Sequence, residues 1–176
     1  TRLHIGMVHQ HFMLVDTFTV LQNIILGDET LKKHEGKLNF FKKSINYLNE
    51  HIFKVIDYKK AREEVTKIIE QYGLQVDLDK KIKDISVEMQ QKVEIIKMLY
   101  RKNDILIFDE PTAVLTEQEI QEFLQILRNL KKEGKSIIFI SHKLNEVFDV
   151  SDEITIIRKG QYIDTIETKN TSKETT

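Results

Sequence analysis

The chain has 176 residues, 40% hydrophobic and 31% charged, an ordinary globular composition with length for one core or slightly more. A formal net charge of −1, with Lys and Arg scattered rather than gathered in a stripe, lacks the electrostatic footprint of a nucleic-acid binder, and zero cysteines exclude disulfides, thiolate metal sites and thiol nucleophiles. No apolar run approaches the roughly 20 residues needed to cross a bilayer and the first residues do not resemble a signal peptide, so a membrane role is expected only through a partner.

His4-Ile5-Gly6-Met7-Val8 reads as a strand, entered almost at once from Thr1-Arg2, and the expectation is that an N-terminal part of the domain lies outside this sequence. Thr19 with Gln22 makes a capping-box pattern for a short helix through Leu26 that Gly27 closes. Leu38, Phe41, Ile45, Leu48 and Ile52 recur at helical steps, and Val65, Ile68, Ile69 and Tyr72 repeat the pattern up to Gly73. Each such helix is expected to bury one apolar stripe. Ser86 can cap a further helix to about Tyr100, with Val93, Ile96 and Tyr100 on one face.

Ile105-Leu106-Ile107-Phe108 has no polar alternation, which predicts a strand covered on both faces, and it runs straight into Asp109-Glu110 before Pro111-Thr112 turns the chain. Thr116 and Glu119 form a second capping box, and Ile120, Phe123, Leu124, Leu127 and Leu130 line a helix that Gly134 ends. Ser136-Ile137-Ile138-Phe139-Ile140-Ser141 then predicts a second buried strand. Strand, crossover helix and strand make a βαβ unit, so both carboxyl ends should lie on one edge, where His142 joins Asp109 and Glu110. Residues 154–157 and 162–166 flank Lys159-Gly160-Gln161 as a hairpin. From 168 onward the chain is polar, as in a linker or frayed terminus.

Acids at the carboxyl end of a parallel strand face the crevice where open α/β sheets bind ligands. One of an adjacent pair can hold magnesium while the other polarises an attacking water for phosphoryl transfer; the plainer alternative is a pair that caps the following loop. Gln10 after a strand offers a neutral amide to such a site, or is a solvated loop glutamine. His142 can help fix in-line geometry, although a lone histidine is more often structural. Ser86 sits where a helix N-terminus presents free N–H groups to a phosphate, and alone reads as a cap. His9 and His11 share a face only if their strand persists, which makes metal binding there the lesser reading. Gly134-Lys135-Ser136 ends like a phosphate loop, but Asn129 stands where the first glycine belongs and a strand follows, so it is a turn.

Gln10, the run Ser86-Val87-Glu88-Met89-Gln90-Gln91, residues 105–112 and His142, in that order, resemble the ATP-binding-cassette (ABC) ATPases. The resemblance covers most of the chain and makes Gln10 the Q-loop residue, 85–89 the signature motif, 105–110 the Walker B strand and His142 the switch histidine. It implies an α/β fold: a P-loop NTPase-type ABC ATPase core, a parallel sheet with flanking helices, plus a helical signature subdomain. The expected division is 1–11 core strand and Q-loop, 12–100 helical subdomain, 101–167 ATPase core, and 168–176 linker or tail.

By the same resemblance Asp109 and Gln10 are expected to hold magnesium at ATP, Glu110 to orient and deprotonate the water, and His142 to reach the γ-phosphate. Ser86, Val87, Glu88, Met89 and Gln90 would contact ATP held by a second cassette, in tandem or as a dimer. Val87 and Met89 depart from the family's Leu-Ser-Gly-Gly-Gln form, and Glu88 brings bulk and like charge to a position where the backbone should approach a triphosphate. The family's Gly-x-x-x-x-Gly-Lys-Ser/Thr loop does not occur here, so this segment alone is expected to hydrolyse ATP poorly. The wording of residues 6–15, 93–97 and 112–116 resembles the importer branch for nucleosides and simple sugars, first cassette of two. That implies transmembrane permease subunits as partners, no nucleic acid, a peripheral place on the cytoplasmic face of the membrane, and a role in powering import. A soluble non-transport ABC ATPase and a non-catalytic interaction module are the alternatives.

Overall fold

A computed structural model describes residues 4–9, 12–28 and 56–170. The expected helix over Leu38 to Ile52 lies outside the described residues, as do Gln10, His11 and residues 171–176.

The local signals produce their elements. After strand β1 (Ile5–Val8), Thr19 and Gln22 close a reciprocal capping box on α1 (Val20–Ile25), and Gly27 follows in the left-handed region at φ 83°. The first free N–H groups of α1 do not go unpaired: Val20 N donates to Lys80 O at 2.9 Å and Leu21 N to Leu78 O at 3.1 Å. Asp57 caps α2 (Tyr58–Tyr72), which buries Ala61 and Val65 and stops at Gly73, φ 67°. A 3₁₀ turn over Ile82–Asp84 leads to Ser86, whose hydroxyl accepts from Met89 N at the start of α3 (Val87–Tyr100).

From there the order is strand β2 (Ile105–Asp109), α4 (Glu117–Lys132) with its Thr116/Glu119 capping box, strand β3 (Ser136–Ile140), α5 (Leu144–Val150), and the hairpin β4 (Glu153–Arg158) and β5 (Gln161–Glu167). Lys159 and Gly160, both at positive φ, make the two-residue turn that suits the right-handed strand twist. Thr168 is pinned beside the hairpin, its N–H to Asp152 O at 2.9 Å and its hydroxyl to Ser151 O at 2.7 Å.

β1, β2 and β3 form one parallel sheet in that order, with Ile5 opposite Ile105 and Ile105 opposite Ser136. Side chains alternate between faces. Val8, Leu106 and Phe108 point into the core with Phe123 and Leu124 of α4 and Val93 and Ile96 of α3. The second face departs from the expectation of strands covered on both sides: Ile138 and Ile140 are 50% and 46% exposed. The apolar run forms a strand, and on that face of β2 Ile105 and Ile107 are partly buried.

α3 departs in the opposite sense from the single-stripe expectation. It lies between the helical group α1–α2 and the sheet, so it is buried on nearly every side, including the polar Gln91 at 2% and Glu94 at 5% exposure. Two buried polar side chains fasten residues 13 and 15 to these helices. Asn23 accepts from Val15 N at 2.7 Å and donates to Val15 O at 3.1 Å; Glu94 accepts from Met13 N at 3.1 Å while Lys97 donates to Met13 O at 3.3 Å.

Candidate active site

β2 delivers Asp109 at the carboxyl edge of the sheet, opposite Ile140 of β3 and on the less covered face with Ile105 and Ile107. Glu110 N donates to Ile140 O at 2.9 Å, extending the ladder by one bond, and then the backbone breaks direction: Glu110 has φ 48°. A side chain with a Cβ costs about 1–2 kcal/mol in that region, and such residues persist where their surroundings over-determine them, typically at functional sites.

The parallel register brings the end of β3 to the same edge. His142, 75% exposed, places Nδ1 2.8 Å from Glu110 Oε1. A carboxylate only accepts, so the pair forms when Nδ1 carries the proton, which leaves Nε2 turned to solvent and able to meet a ligand. The other oxygen, Glu110 Oε2, is buried and has no hydrogen-bond partner among the described residues. An acceptor in that condition is costly unless something donates to it, and an ordered water or a ligated cation supplies what it lacks. The donor set at this rim, two adjacent carboxylates and an imidazole, fits magnesium held mostly through water and phosphate oxygens, which needs only one or two protein carboxylates. Asp109, the first expected ligand, lies at this rim; Gln10, the second, lies outside the described residues. Among the described residues no group of three or more His, Cys, Asp or Glu forms a self-sufficient metal cage.

The segment expected to be the signature sits at the start of α3, not in the Glu110–His142 pair. Ser86 is occupied as the helix cap, Val87 is 47% exposed, and Gln90 Nε2 donates back to Ile82 O at 3.4 Å and Ile85 O at 3.5 Å. Glu88 forms an ion pair with Lys92 one turn along the helix. The carboxylate expected to repel a triphosphate is therefore partly compensated within the chain. A separate open hollow of about 680 Å³ runs between β1 and α3, lined by His9, Met13, Lys97 and Arg101 among others, and contains neither Glu110 nor His142.

Sequence reasoning gave no role to a set of residues that meets the turn after Glu110: Gln91 donating to Pro111 O, Thr112 donating to Glu146, and Lys143 donating to Thr112 O. The signals were present but weak. A glutamine lies among the apolar residues of α3, and Lys143 precedes Glu146 at the i,i+3 spacing of a helix start.

Comparison with known proteins gives the family. The family profile described as ABC transporter matches residues 1–113. The nucleoside import ATP-binding protein NupA of Lactococcus lactis subsp. cremoris is 55% identical over 165 residues, covering 94% of this chain and 29% of that protein. The guanosine import ATP-binding protein NupO of Bacillus subtilis is 53% identical over 172 residues, 98% of this chain and 30% of that protein. The chain thus spans about 30% of the length of these relatives. An ATP-binding cassette of an ABC transporter solved in its ADP conformation has the same fold, with a TM-score of 0.69 at 23% identity over 95% of this chain and 63% of that one. With β2, its acid pair and His142 disposed as described, and more than half of the chain matched by the profile, this chain belongs to the ABC transporter family.

Proposed function

We propose that this chain is the ATP-handling part of an import ATP-binding subunit, hydrolysing ATP to drive uptake of a nucleoside, with a simple sugar as the alternative cargo. The observation that carries the reading is the Glu110–His142 pair at the carboxyl edge of the sheet, with Glu110 Oε2 buried and unmatched beside it. In this reading Glu110 holds the attacking water through that open acceptor and takes its proton as the water attacks in line. His142, its ring oriented by the Nδ1–H bond to Glu110, would donate to the γ-phosphate from Nε2 when the ring carries a second proton there, and so fix the angle of approach. Asp109, with Gln10, would hold magnesium, which would supply charge neutralisation on the phosphate oxygens. Ser86 and the N–H groups opening α3, with Val87, Glu88, Met89 and Gln90 around them, meet the nucleotide of a second cassette. The names of the two relatives support nucleoside import.

The partners of such a subunit are transmembrane permease subunits and the second cassette, and its place is the cytoplasmic face of the membrane. No helix among the described residues is long and apolar enough to cross a bilayer.

The full coding sequence that contains this chain, purified with magnesium and ATP, should hydrolyse ATP, and Glu110→Gln should lower kcat by about 10²–10³-fold while nucleotide stays bound. An unchanged kcat in Glu110→Gln would overturn the catalytic assignment. For import, the subunit should co-purify with a permease pair whose reconstituted complex shows ATPase stimulated by nucleoside; stimulation by a pentose instead would move the cargo to sugars, and stimulation by neither would sink the transport reading.

A further inference from the structure

The turn that follows Glu110 is held from two sides by side chains distant in sequence. Gln91 on α3 donates from Nε2 to Pro111 O at 2.7 Å. Thr112, fully buried, donates its hydroxyl to Glu146 Oε2 at the start of α5; Lys143 Nζ donates to Thr112 O at 3.0 Å and pairs with Glu146 Oε1 at 3.1 Å. Gln91 is 2% and Glu146 7% exposed. Burying an amide and a carboxylate is costly, and an apolar residue of Gln91's size would fill its place without desolvation. What the polar groups add is direction: they accept only one conformation of Pro111-Thr112. Immediately before that turn stands Glu110 at φ 48°, a conformation a non-glycine residue keeps only when its neighbours impose it.

We propose that Gln91 and Glu146 are positioning residues for Glu110: by clamping the carbonyl of Pro111 and the hydroxyl of Thr112 they hold the left-handed backbone that aims the Glu110 carboxylate beside His142. The inference rests on the reading of Glu110 as the base, and deepens it. It also joins two parts of the site. Gln91 lies on the same helix as Ser86, so an axial shift of α3 pulls on Pro111 and re-aims the carboxylate.

The test uses the full coding sequence. Gln91→Met keeps size and apolar packing but loses the donor; Thr112→Val loses the hydroxyl, and Thr112→Ser and Glu146→Gln keep the hydroxyl-to-oxygen bond. A misplacement of about 1 Å in a reacting group costs about 10²-fold, so Gln91→Met and Thr112→Val should lose about 10- to 100-fold in kcat, with the Kd for a fluorescent ATP analogue within about twofold. Thr112→Ser and Glu146→Gln should stay within about threefold of wild type by the same logic. Amide exchange at Glu110 and Ala113 should rise at least tenfold in Gln91→Met and Thr112→Val alone. Wild-type kcat in both, or unchanged exchange, overturns the proposal; so does a kcat loss that Thr112→Ser fails to rescue. If Gln91→Met does not fold, Thr112→Val against Thr112→Ser decides. A wild-type protein without ATPase, or Glu110→Gln without effect, counts against the catalytic reading instead, and the exchange measurement then still decides whether Gln91 and Thr112 hold the turn.

Discussion

The two faces of the β1–β2–β3 sheet are built from similar side chains and lie in opposite surroundings. Val8, Leu106 and Phe108 are fully buried, whereas Ile5, Met7, Ile138 and Ile140 on the other face are 47%, 37%, 50% and 46% exposed. Apolar character along a parallel strand states a demand for cover on both faces, and only tertiary contacts meet it. On one face α3 and α4 meet it; among the described residues the other face is covered only in part, Ile105 and Ile107 being partly buried. The rim carrying Glu110 and His142 lies at the carboxyl edge of the sheet, with Asp109 on the more open side.

The largest way to break this contrast is on the packed face. Phe108 makes an edge contact with Phe123, ring centroids 5.5 Å apart, and Phe108→Ala should cost about 3–5 kcal/mol, read as a lower urea midpoint at unchanged slope. Gly6 lies beneath α3, where an added Cβ would stand 2.5 Å from Asn103 Nδ2 and 2.9 Å from Met98 Sδ. Both neighbours are buried, so Gly6→Ala should cost about 1–3 kcal/mol by the same measurement. Ile138→Thr, on the open face, should stay within about 0.5 kcal/mol of wild type; a larger loss would mean that this face is covered after all.

The smallest effects lie off the sheet faces and appear as pH dependence. A hydrogen bond from Lys135 holds the Asp104 carboxyl below its usual range, the Thr116 backbone N–H does so for Glu119, and Lys131 for Asp152. Folded values below unfolded ones stabilise above the ordinary carboxylate range, near about 4, and that contribution is lost as pH falls through the lowered values. Tyr72 runs the other way. Burial, then the Glu133 carboxylate it bonds, push its phenol up to about 12, so its contribution is present below about 10 and is lost as pH rises through about 12. Unfolding midpoints should thus fall at both extremes, and Tyr72→Phe should remove the alkaline fall while leaving the acid one.

How much of this was legible depended on distance along the chain. Thr19 with Gln22 and Thr116 with Glu119 could be read as caps because each box is closed within three residues, and Lys159-Gly160 as a turn because two residues settle its geometry. The meeting of Glu110 with His142 spans 32 residues, yet followed from the parallel βαβ rule, since identical strand directions leave the two carboxyl ends on one edge. Contacts of Gln91 with Pro111 and of Thr112 with Glu146 obey no such rule. They depend on how α3 and α5 rest against the turn, and no periodicity encodes that. The open second face was illegible for a simpler reason: Ile138 reads the same whether covered or bare.

The anchoring of the segment after β1 has a mechanical consequence. Asn23 grips Val15 by both its N–H and its carbonyl, and Glu94 with Lys97 grips Met13 in the same double fashion. Main chain riveted at two points to two helices has no slack of its own. Moving residues 13–15 therefore means either breaking these four hydrogen bonds or carrying α1 and α3 along.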